Sequence, residues 1–149
     1  MAGRPTVEPA TLSIARIATV AIPGAIVAVL VNLAIRALAM ERFGVPAEAL
    51  PLPGVIIGSA MPVLGPAFGF YMAFRPPTPN SMRNFLLVSA LLTVMGGLIQ
   101  LVPYSKAQHV GGLLVGEFQG LLATGLALFL LLRFVPRPAV PARDRAGAP

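Results

Sequence analysis

The stretch VGGLLVGEFQGLLATGLALFLLLRF, residues Val110–Phe134, decides the fold. This run of about 25 residues exceeds the ~20 mainly apolar residues that cross a bilayer, so it reads as a transmembrane helix. One carboxylate, Glu117, sits inside it. Charges within a membrane are rare and carry a partner or a function. Gly112, Gly116, Gly120 and Thr124 recur every four residues, with Glu117 beside them. Small residues at that spacing let a neighbouring helix backbone approach closely.

Moving outward from this stretch, the whole chain has the same character. Of its 149 residues 56% are hydrophobic and 11% charged, far below the ~25% charge of a soluble domain. Mean hydropathy is +0.84. The composition predicts an all-α integral membrane bundle of four helices, with spans at about 14–40, 54–74, 83–102 and 110–134. A leader over 1–13 is expected to be interfacial or disordered, and a basic tail rich in Pro, Ala and Arg over 135–149 has too little apolar surface to fold. The tail's expected role is topology and anchoring to anionic lipid.

Several function classes are set aside by residue inventory. The formal charge of +6 does not mark a nucleic-acid binder, because the arginines lie at segment ends rather than in an aromatic-studded stripe. The expected surroundings are the lipid bilayer. With no Cys and one His, disulfides, thiolate chemistry and a Cys or multi-His metal site are excluded, and no cofactor or metal is expected. Gly-x-Ser-x-Gly, phosphate-loop and His-Glu-x-x-His patterns are absent from the sequence, as is a paired carboxylate within a span. The chain is not expected to be an enzyme.

Within the spans, polar and small residues keep helical spacing. Asn32 and Arg36, four apart, share a face with Ala21, Ala25 and Ala28. Pro23 is an expected kink in the first span, Pro62 and Pro66 in the second. The second span also carries Gly54-x-x-x-Gly58 and Gly65-x-x-x-Gly69, and it reads either as a kinked packing helix or as an opened backbone lining a cavity. Arg75 to Asn80 forms a turn with Asn80 or Ser81 as the following cap. On the third span Ser89, Thr93, Gly96 or Gly97, and Gln100 form a small polar face. The last link, Pro103 to His109, places Tyr104, Lys106 and His109 near the headgroups.

Four spans divide the basic residues unequally. Arg4, Arg16, Arg75, Arg83, Arg133, Arg137, Arg143 and Arg145 fall on one side, and Arg36, Arg42 and Lys106 on the other with Glu41 and Glu48. The positive-inside rule places both termini in the cytoplasm, and the expected location is the cytoplasmic (inner) membrane. Glu117 and Arg36 then lie at matching depth near the outer face. This predicts a buried polar cluster of Glu117, Arg36, Asn32 and Gln100. Gln119 is its weakest member, about 200° round the helix from Glu117. Three readings of the cluster stay open: a clasp holding the bundle together, a proton- or cation-responsive site below an outward vestibule, or a contact with another protein or a headgroup.

The order Val31-Asn32-Leu33-Ala34-Ile35-Arg36, a Pro-rich outer loop, a Gly-rich second span, an Arg-Pro turn, a third span closing on Pro103 and a small-residue-rich fourth span resembles an uncharacterised bacterial four-helix membrane family. The likeness covers about 15–133 and implies the architecture without an activity. Members often carry a His in the fourth span, where this chain reads Gly116-Glu117-Phe118-Gln119. Small exporters of four helices place their essential Glu in the first span, and fluoride channels carry Asn and Phe motifs not seen here. The expected function is a non-catalytic accessory or scaffold subunit. It would associate as a homo-oligomer or in a larger membrane complex through the faces of Gly112, Gly116, Gly120, Gly54, Gly58, Gly65 and Gly69. The alternative is a small transporter or channel with an outward-facing site around Glu117.

Overall fold

Helix boundaries in this chain follow from a few residues that the backbone cannot do without. A computed structural model describes residues 12–75, 77–107 and 110–137, and for 96–107 the backbone alone. It contains α1 (Ile14–Phe43), a single 3₁₀ turn (Ala47–Ala49), α2 (Leu52–Phe74), α3 (Ser81–Ala107) and α4 (Val110–Phe134). Among the described residues there is no strand. The leader 1–11, the tail beyond 137, His109 and the side chains of Gln100, Tyr104 and Lys106 lie outside the described residues.

α1 ends because Gly44 adopts the left-handed conformation, φ +61°, and its N–H donates back to the Ala39 carbonyl. The Val45 N–H reaches the same carbonyl at 3.2 Å. Only glycine takes that backbone without a Cβ penalty. α2 begins after Pro51, with Pro53 in its first turn, where a missing N–H costs nothing. Pro23, Pro62 and Pro66 each lie inside a helix that continues past them, so α2 is a continuous packing helix and not an opened backbone. Ser81 serves the turn before α3: its Oγ accepts from the Thr78 N–H at 2.8 Å. α3 runs through Pro103 to Ala107 rather than stopping at Val102, and membrane helices tolerate such a proline.

α1, α2 and α4 pack mutually, and α3 lies against α2 and α4. The inward positions step by three or four residues, with one step of seven from Asn32 to Ala39: Ile17, Ala21, Ala25, Ala28, Asn32 and Ala39 on α1. On α2 they are Val55, Ser59, Val63, Ala67, Phe70 and Phe74. On α4 they are Gly112, Gly116, Gln119, Ala123, Ala127 and Leu131.

Antiparallel stacking of those stripes sorts the interior into layers. One end is aromatic and bulky, with Phe70 and Phe85 edge to face at 5.1 Å and Leu131 and Ile17 beside them. A narrow layer of Ala25, Ala28, Val63, Ala123 and Ala127 follows. Beyond the polar layer, Ala39, Val45, Ala49, Leu50 and Val55 close the other end. The supposed linker between the first two spans is therefore part of the core, with Leu50 fully buried.

The exterior reverses the order of a water-soluble protein. Leu30, Ile57, Leu87, Phe118 and Phe129, drawn from all four helices, are exposed. Soluble monomers expose apolar patches of only about 300–600 Å². Three segments, Ile14–Phe43, Ala47–Phe74 and Val110–Phe134, are long and apolar enough to cross a membrane. The apolar part of α3 within the described side chains, Ser81–Met95, is shorter. The chain has the build of a membrane protein.

Candidate functional site

The polar residues that meet inside the bundle are Asn32, Ser59 and Gln119, at 0%, 1% and 5% exposure. Asn32 Nδ2 donates to Ser59 Oγ at 2.9 Å and to the Gln119 main-chain carbonyl at 3.2 Å. Gln119 Nε2 donates to the Asn32 main-chain carbonyl at 2.7 Å. The Ser59 hydroxyl itself donates to the Val55 carbonyl one turn earlier on α2. Both N–H groups of the Asn32 amide are thereby used, and the acceptor-only Gln119 carbonyl fixes which way that amide faces. Its Oδ1 is left buried without a partner.

Of the expected cluster, Asn32 sits at the centre, and its chief partner is Gln119, the member ranked weakest. Arg36 turns elsewhere. Its Nε donates to the Leu50 carbonyl at 2.7 Å, tying α1 to the segment that closes the bundle end. Arg36 and Glu117 form no ion pair. Glu117 is half-buried, and its Oε1 is enclosed with no hydrogen-bond partner. The Gln100 side chain lies outside the described residues. On α3, Thr93 Oγ1 donates to the Ser89 carbonyl at 2.8 Å, while the buried Ser89 Oγ has no partner.

The glycine faces serve contacts within the chain. Gly112, Gly116 and Gly69 are buried, Gly120, Gly58 and Gly65 half-buried, and Gly54 is exposed. A Cβ on Gly69 would lie 3.7 Å from Val88 Cγ1, and one on Gly65 3.9 Å from Leu92 Cδ1, so that stripe meets α3. The tightest approach is at Gly24, where a Cβ would come within 2.7 Å of Leu130 Cδ1 on α4.

Among the described residues no group of three or more His, Cys, Asp or Glu could hold a metal ion. Comparison with protein-family models, curated proteins and solved structures finds no match. The resemblance to a four-helix family accordingly has no matching family model behind it.

Proposed function

We propose that the chain is a non-catalytic multi-pass membrane protein, an accessory or scaffold subunit of a homo-oligomer or larger membrane complex. In this reading all four helices cross the cytoplasmic membrane, α3 included. Its 27 residues extend about 40 Å at 1.5 Å per residue, and both termini lie in the cytoplasm. The observation that carries the reading is the closed polar layer. Asn32 and Gln119 donate across to neighbouring helices and Ser59 donates back to its own, where a site for a substrate would aim these groups at a ligand. Since the Gly112, Gly116 and Gly69 positions are occupied inside the bundle, association runs through the apolar outer faces. Mild extraction from native membrane followed by cross-linking tests this. A stoichiometric assembly larger than the 15.5 kDa chain is expected; a single uncross-linked chain would overturn it.

One observation favours a second reading, a small transporter or channel with its site at Glu117. A carboxylate oxygen enclosed without a partner is costly in a membrane and is available to a proton or cation. Purified protein in liposomes should then conduct, and Glu117→Gln should abolish the flux. Equal flux from both proteins would sink that reading.

A further inference from the structure

Five arginines ring one end of the bundle. Arg16 precedes Ile17, Arg75 follows Phe74, Arg83 lies two residues before Phe85, and Arg133 and Arg137 flank Val135; each of those apolar neighbours belongs to the same core cluster. All five arginines are exposed. Among the described residues at this end, 12–16, 75–83 and 133–137, there is no Asp or Glu. The other end is mixed: its sequence carries Glu41 and Glu48 along with Arg36, Arg42 and Lys106, and the Arg36 Nε is already held by the Leu50 carbonyl.

The ring also borders the apolar exterior. The Arg75 guanidinium lies 5.6 Å from the Tyr71 ring centre, and that of Arg133 lies 5.9 Å from the Phe134 ring. Tyrosine rings favour headgroup level, which suits the Arg75 cation over Tyr71 to the height of lipid phosphates. Arginine's planar fork pairs with phosphate in bidentate fashion. Among the described residues nothing acidic competes there.

We infer that this rim is a binding surface for anionic phospholipid headgroups, with Arg75 and Arg83 at the α2–α3 turn and Arg133 and Arg137 after α4 as the phosphate-pairing groups. The inference rests on the membrane reading above and adds a lipid preference to it. A basic residue near an anionic leaflet contributes a factor of about 5 in affinity.

The full chain is reconstituted in vesicles of equal phosphatidylglycerol and phosphatidylcholine, extracted in mild detergent, and the co-purifying lipid quantified by mass spectrometry. Phosphatidylglycerol should be enriched about 5-fold or more. Arg75→Gln with Arg83→Gln should remove most of that enrichment, and Arg42→Gln at the opposite end should leave it intact. Equal retention of the two lipids by the unaltered chain overturns the inference without reference to any variant. So does displacement of the lipid by inorganic phosphate at constant ionic strength, which would assign the arginines to a free anion. Flotation with vesicles after an alkaline wash separates the two levels. A chain that floats without lipid preference fails this inference alone, and one that washes off fails the membrane reading with it.

Discussion

Asn32 on α1 and Gln119 on α4 each donate a side-chain amide to the main-chain carbonyl of the other, at 3.2 and 2.7 Å. The two side chains cross without bonding each other. Removing one therefore leaves the other's hydrogen bond in place. Asn32→Ala and Gln119→Ala should each cost about 0.6–1.7 kcal/mol, and because neither side chain bonds the other their coupling should stay near the low end, about 0.5 kcal/mol, of that between neighbouring residues. Asn32 and Ser59, joined side chain to side chain, should instead show measurable coupling. Unfolding in mixed micelles reads all three; strong coupling between positions 32 and 119 would contradict the geometry.

Gly24 and Gly44 separate steric from conformational cost. At Gly24 the clash is with the tip of Leu130, which can rotate, so Gly24→Ala should cost less than about 1 kcal/mol, while Gly24→Leu should cost about 1–3 kcal/mol and be relieved by Leu130→Ala. Gly44 has nothing within 4 Å of an added Cβ, yet its φ is +61°. Gly44→Ala should cost about 1–2 kcal/mol, and Gly44→Asn less. Thermal unfolding by circular dichroism distinguishes these cases.

Arg36 should act locally. Arg36→Gln removes the tie to the Leu50 carbonyl while the buried apolar contacts of Val45, Ala49 and Leu50 remain. Hydrogen exchange across 45–51 should rise about 5- to 10-fold, the effect of losing roughly 1 kcal/mol of hydrogen bond, with the rest of the bundle unchanged. Faster exchange throughout α1 would show the tie to be global.

Enlarging the inner glycine stripe should attack the fold before any assembly. Gly116 is buried within the bundle, so Gly116→Leu should cost about 1–3 kcal/mol by overpacking. In Gly116→Leu with Gly120→Leu, loss of helix packing should accompany any loss of a complex. A folded chain that merely dissociates would place the stripe at an outer interface.

The sequence carried the middle of the α1 stripe, because Ala21, Ala25, Ala28 and Asn32 already alternate three- and four-residue steps, while Ile17 and Ala39 at its ends went unread. It misled on α4. Steps of four advance about 400°, so the series Gly112, Gly116, Gly120 drifts about 40° per step away from a fixed neighbour. The helix corrects with one step of three, from Gly116 to Gln119, which brings the glutamine to the centre and leaves Glu117 aside. Ser59 had the signal in Val55-Ser59-Val63, four residues apart, but prolines and glycines around it drew the reading elsewhere. Matching depth suggested Arg36 with Glu117, yet depth says nothing of direction around a helix. The carbonyl that takes Arg36 comes from Leu50, in a Pro-rich connection whose path no periodicity encodes.

The narrow layer of Ala25, Ala28, Val63, Ala123 and Ala127 has a consequence for which changes this chain can accumulate. Inside, the forbidden direction is growth: at Ala28 or Ala123, both fully enclosed, even a larger apolar residue forces the helices apart. Outside, at Leu30 or Phe118, size is free and only charge is refused, because the solvent there is hydrocarbon. A saturation screen of this chain would draw its helices inside out relative to a soluble bundle, with volume policing the centre and polarity policing the rim.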